Sequence, residues 1–118
     1  MDDGGLTEIG EGGGTTIVLD ARGWRSRADF FAALLPALRT PEWAGGNLDA
    51  LFDCLVAGHL GVPLPVVVQV SGASGVPRDV ADYLARAVRV FDDARRQYAV
   101  DARMVVSGAS LGEGKAGV

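Results

Sequence analysis

The chain has 118 residues, a formal net charge of −4 and a single cysteine. That length suits one small domain with room for a core; one cysteine excludes an intramolecular disulfide, and no stretch approaches the ~20 apolar residues of a membrane-spanning helix. The acid excess sits near the ends, with Asp2, Asp3, Glu8, Glu11 and Glu113 against Lys115, while residues 15–107 hold ten acids and ten arginines, so bulk charge gives little support to nucleic-acid binding.

Residues 1–14 combine six glycines with four acids. Such a composition buries too little surface to offset ordering entropy and predicts a flexible tail. The start has no positively charged, apolar leader, which with the lone cysteine fits a reducing cytosol. The Gly10–Gly14 cluster precedes a strand and lacks the Lys-Ser/Thr of a phosphate loop, which must follow a strand and open a helix. Thr15 to Leu19 is β-branched and apolar and predicts a first strand.

Ser26 with Asp29 three residues on reads as a capping box before a helix bearing Phe30, Phe31, Leu34, Leu35 and Leu38. Pro36 inside that helix predicts a kink or an early stop. Thr40 to Gly46 is a connecting loop. Asn47 is a good N-cap for a second helix, whose Leu48, Leu51, Phe52 and Leu55 form an apolar stripe. Pro65 to Val70 is a continuous apolar run and predicts a strand covered on both faces. Ser71 to Val76 is a small-residue loop, and Pro77 suits a helix start. Val80, Leu84, Ala87, Phe91, Ala94 and Tyr98 alternate by four and three residues and predict a long amphipathic helix. Arg103 to Val106 is a third strand, and residues 108–118 read as a second flexible tail. Strands separated by helical crossovers predict an α/β fold, a single domain with a three-stranded parallel sheet packed with helices.

Asp49 and Asp53 stand four residues apart on the second helix, where like charges oppose each other by roughly 0.2–0.5 kcal/mol. No lysine or arginine lies between Arg39 and Arg78. With Glu42 they make a base-free acidic block, suited to a basic partner; the competing reading is an ordinary solvated face. Asp49 also complements the helix macrodipole from the first turn, an explanation that does not reach Asp53. Cys54 reads as a small buried hydrophobe. His59 beside it invites a nucleophile reading, but no third group orients the pair, and nothing has metal-ligand cysteine or histidine spacing.

The stretch Pro41-Glu42-Trp43, Gly45 and Asn47-Leu48-Asp49-Ala50-Leu51-Phe52-Asp53-Cys54-Leu55 resembles the barstar family, intracellular inhibitors of small secreted bacterial ribonucleases. Weaker similarity runs through Arg25-Ser26, Asp29-Phe30, Val90 to Ala94 and Arg103 to Val106, so it covers roughly residues 15–107. The resemblance implies the barstar-like fold and a function by binding rather than catalysis: a cytoplasmic, monomeric inhibitor of a basic guanyl-type ribonuclease, with no cofactor, metal, nucleic acid or membrane involved. It implies that Asp53 enters the nuclease active site in place of the RNA phosphate, that Asp49 meets the enzyme's basic rim, and that Trp43, in place of the usual tyrosine, packs beside the active-site histidine. Gly45, Gly46 and Asn47 shape that loop.

Phe52 stands where the family has a partly exposed tryptophan; core placement is the competing reading. Asp93 matches a family glutamate that adds an outer salt bridge; pairing of Asp92 with Arg96 and Arg89 with Asp93 along the helix competes with that role. Gly46 replaces a family glutamate, and the Ser71–Pro77 segment departs from a family helix, making a short helix there doubtful. These departures keep open an immunity module for a toxin other than a ribonuclease. An enzymatic alternative sets Glu42, Asp49 and Asp53 around Mg²⁺ for phosphate hydrolysis, since oxygen-only ligands suit that ion, but no base, lysine or phosphate loop accompanies them.

Overall fold

The structure is a computed structural model and describes residues 5–9, 14–41 and 43–107. Strand β1 (Gly5–Ile9) runs antiparallel to β2 (Thr15–Asp20), with Gly5 opposite Leu19 and Ile9 opposite Thr15. Helices α1 (Arg27–Leu38) and α2 (Leu48–Ala57) follow, then strand β3 (Val66–Ser71), helix α3 (Arg78–Tyr98) and strand β4 (Ala102–Val106). The sheet order is β1-β2-β3-β4, with β2, β3 and β4 parallel. The three parallel strands and their helices are the α/β domain that the pattern predicts.

The added edge strand falls within residues 1–14, the stretch expected to be a flexible tail, where the structure pairs Gly5–Ile9 with β2; residues 1–4 and 10–13 lie outside the described residues, as does the expected tail at 108–118. Composition arguments count buried side chains. An edge strand is held largely by ladder hydrogen bonds to its neighbour, which glycine can make as well as any residue.

The strand registers align one buried row across the sheet. Thr15, Val66 and Ala102 lie side by side, then Ile17, Val68 and Met104, and all six are buried. Their alternates on the other face, Thr16, Val18, Val67, Gln69, Arg103 and Val105, are half-buried or exposed. β3 is therefore covered on one face, contrary to the expectation of burial on both. Valine suits a pleated strand on either face, so an apolar run reports strand propensity as well as burial. The order β2, β3, β4 also advances in one direction. Crossovers of one hand then place every helix on the same side of the sheet.

α1 starts as the capping pattern predicts: the Asp29 carboxylate accepts the Ser26 N–H at 3.2 Å and the Arg25 N–H at 2.7 Å. Pro36 sits in its last turn, and the helix stops two residues later at Leu38, where Arg39 turns left-handed at φ 55°. Phe30, Phe31 and Leu34 enter the core, joined by Leu51 and Leu55 of α2 and by Val80, Leu84, Ala87 and Phe91 of α3. The Gly/Ser segment after β3 does hold a short element, a single 3-10 turn at Ala73–Gly75, seeded by buried Ala73.

Candidate functional site

α2 is fixed at both ends and along its inner face. The Asn47 side-chain oxygen accepts the Ala50 N–H at 2.8 Å, and Gly58 closes the helix at φ 77°. Leu51, Cys54 and Leu55 are buried beneath it. A side chain at Gly45 would bring its Cβ to 3.3 Å of the Asn47 amide nitrogen, so glycine there leaves the cap clear. At Gly46 a Cβ would meet Phe31 at 3.5 Å, an ordinary contact, and that position tolerates a side chain.

The outer face of this rigid helix presents Asp49 and Asp53, both exposed. Neither has an ion-pair partner among the described residues. Glu42, the third acid of the expected block, lies outside the described residues. Cys54 is buried, and burial first, then the Asp53 charge, raise its thiol pKa. A neutral buried thiol is a packing group.

Trp43 does not fold onto the core: 68% of it is exposed. Its ring meets His59 edge-on, with centroids 5.1 Å apart and planes at 85°. Trp43 precedes the N-terminus of α2 and His59 follows its C-terminus, and ten residues of helix span about 15 Å. The loop before α2 therefore runs back along the helix to reach the far end. His59 thus enters the site as the ring that holds Trp43, a role with no local sequence signal because the two lie on opposite sides of the helix in the chain.

Phe52 is half-buried in the seam between α2 and α3, 6.0 Å from the ring of Tyr98. Both readings of this residue describe part of its position. Asp93 is hydrogen-bonded to Arg96 at 2.7 Å, and Asp92 to Arg95 at 2.8 Å. The pairing is within α3 as expected, but with other partners than Arg89–Asp93 and Asp92–Arg96. Arg95 also donates to the Ala102 carbonyl at 3.2 Å, which holds its guanidinium beside Asp92 and leaves Arg96 for Asp93. An acid preceding its base along the helix is the favoured order, which Arg89–Asp93 reverses.

The acidic block is base-free in sequence but not in space. Arg27 of α1 and Arg86 of α3 line a shallow cleft of about 220 Å³ with Asn47, Leu48, Asp49 and Tyr83. Both guanidinium groups lie over the Tyr83 ring, at 5.0 and 5.7 Å from its centroid. These two arginines are separated from α2 by many residues, so only the packing of three helices brings them to Asp49.

The family model described as Barstar (barnase inhibitor) matches residues 15–107. The chain belongs to the barstar family. No match was found among curated proteins. The family match starts at the first residue of β2 and ends just after β4, so β1 is an addition at the sheet edge outside it. The matched segment contains the whole of the candidate site: the Trp43 loop, the capped α2 with Asp49 and Asp53, and the α3 face beside it. No described helix is long and apolar enough to cross a membrane.

Proposed function

We propose that this protein inhibits a small secreted guanyl-type ribonuclease by occupying its RNA site, acting in the cytoplasm as a monomer that binds one basic enzyme. The observation that supports this most is Asp53: an exposed carboxylate with no ion-pair partner among the described residues, on a helix whose other face is locked into the core. A carboxylate offers two acceptor oxygens to an arginine fork, as a phosphate does. Asp49 one turn back extends the charge, and exposed Trp43 supplies an aromatic anchor of the kind enriched at binding hot spots. The partner-binding surface is then Trp43, Gly45, Gly46, Asn47, Asp49, Phe52 and Asp53, with Asp93 at its edge, carried by a domain over residues 15–107. The residues act by blocking, and the reading assigns them no catalytic step.

Titration of the protein into RNA-cleavage assays of several purified secreted bacterial ribonucleases tests the reading. Stoichiometric loss of cleavage with at least one enzyme, abolished by Asp53→Ala, supports it; full activity of every enzyme at micromolar inhibitor overturns it. An immunity role against a toxin of another class is favoured by one observation. Gly46 is neutral where the family has an acid, and Arg27 and Arg86 stand beside Asp49, so the face carries mixed charge. Pull-down with nucleases of different classes separates the two.

A further inference from the structure

We propose that Arg27, Tyr83 and Arg86 form a carboxylate-receiving cleft at the edge of the docking face, into which the partner protein inserts an acidic side chain while its cations meet Asp49 and Asp53. The identity of the partner as a nuclease rests on the reading above; the chemistry of the cleft does not. Three observations support the inference. Tyr83 is buried, with its ring set by edge contacts to Phe30 and Phe31 at 6.4 and 5.8 Å, and its hydroxyl makes no hydrogen bond to a described residue. The two guanidinium groups lie over that fixed ring, so both forks are held in place by cation–π contact before any ligand arrives. Neither arginine has an ion-pair partner among the described residues, although Asp82 stands four residues before Arg86 and Asp49 lines the same cleft.

The helix dipole does not explain the arrangement. Arg27 is the first residue of α1, where the positive end of the helix dipole disfavours a cation. The donors at the cleft, two planar forks beside the Tyr83 ring, match the two oxygens of a carboxylate. A doubly charged phosphate is the poorer fit, because Asp49 stands on the wall and Asp53 one turn further. A protein carboxylate avoids that repulsion when it arrives with the partner's own cations beside it. The partner surface complementary to this face is thus basic at its centre with an acid on its rim.

The test uses isotopically labelled full-length protein and two probes. The first probe is an N-acetylated, C-amidated Lys-Glu-Lys peptide, which brings cations beside its carboxylate, with the arginine Nε–Hε resonances followed by NMR. Saturable shifts at Arg27 and Arg86, absent at Arg78, Arg89 and Arg103 and lost in the Arg27→Gln/Arg86→Gln double variant, support the cleft. Equal small shifts at every arginine overturn it. The second probe is any ribonuclease that wild type inhibits. The same double variant, with an unchanged melting temperature, weakens inhibition at least about tenfold, and Tyr83→Phe, which keeps the ring, weakens it less. Full affinity in the double variant overturns the role at the interface while Asp53→Ala still reports on the nuclease reading. If no nuclease is inhibited, that reading falls alone, and the peptide titration decides the cleft.

Discussion

Two helices of this molecule each carry a pair of aspartates, and the fold uses the two pairs differently. On α3, Asp92 and Asp93 are bound to Arg95 and Arg96 one turn on, and Arg95 also ties the helix to β4 through the Ala102 carbonyl. On α2, Asp49 and Asp53 face solvent with no ion-pair partner among the described residues. The α3 acids belong to a closed network whose members satisfy one another. Those of α2 keep their acceptor capacity open to solvent, at a small cost in helix stability. Acid content alone does not distinguish the two helices; unspent acceptor capacity on a rigid support does.

The comparison is broken most directly by truncating one aspartate from each helix. Asp53→Ala weakens partner binding by about 3–5 kcal/mol, the range for leaving one member of a desolvated ion pair uncompensated. Its melting temperature stays level or rises slightly, because a like-charge neighbour is gone. Asp93→Ala removes an exposed intrahelical pair and changes binding and stability by no more than about 1 kcal/mol each. Calorimetric titration against an inhibited ribonuclease, with thermal melts of both variants, checks the contrast. Equal losses of affinity from the two substitutions would show that pairing state does not separate their roles.

Trp43 sharpens the α2 side. Being largely exposed, with its ring edge-on to His59, it has little to contribute to the core. Trp43→Ala costs about 2 kcal/mol or more of partner affinity if the ring is a hot spot, with a melting temperature within a degree or two of wild type. A variant that melts early but binds normally would assign the ring to loop stability instead.

Much of this arrangement is legible in the chain and some is not, for physical reasons. Asn47 before an apolar stripe gives α2 its start, and Ser26 with Asp29 does the same for α1, because capping is a matter of residues three apart. The stripe of α3 and the parallel strands follow from periodicity in the same way. Asp49 and Asp53 stand out because no base occurs nearby in sequence. That argument also hides Arg27 and Arg86, which reach Asp49 only through the packing of α1 and α3 against α2. The pairing choices of Asp92 and Asp93 turn on where Arg95 finds the Ala102 carbonyl, a tertiary contact. β1 escapes notice because its ladder bonds are indifferent to side chain, and the one-sided cover of β3 because valine serves both faces.

Removal of residues 1–14 separates stability from binding. It deletes β1 and leaves one edge of β2 unpaired from Thr15 to Leu19. An unpaired edge also invites association with other chains. The truncated protein melts several degrees lower, consistent with a loss of about 1–2 kcal/mol in a domain of this size, while its inhibition constant at 25 °C stays within about threefold because α2 and its loop are untouched. An unchanged melting temperature would show that β1 adds nothing to the fold. Abolished inhibition in a well-folded truncate would bring the N-terminal segment into the binding face.

The smallest effect concerns a third acid, at the end of β2. Arg22 forks onto the Asp20 carboxylate with contacts of 2.6 and 3.0 Å, and the Arg22 backbone N–H adds another at 3.0 Å. The side-chain hydrogen bonds chiefly, and the backbone one next, lower the Asp20 pKa from 3.8 to about 2. A depressed folded-state pKa means that the unfolded chain takes up the proton first on acidification. The contribution to stability is therefore complete above about pH 4 and is lost as the pH falls through about 2. Asp20 is partly exposed and its pair with Arg22 is open to solvent screening, so the effect on melting temperature is slight, and the carboxyl resonance is the better readout. NMR titration of wild type gives a midpoint near 2, and Arg22→Gln moves it part of the way back toward 3.8, since the backbone N–H remains. A wild-type midpoint near 3.8 would mean that the fork does not persist in solution. Asp20 would then join Asp49 and Asp53 among the open acids, and the distinction between closed and open pairs would have to rest on α3 alone.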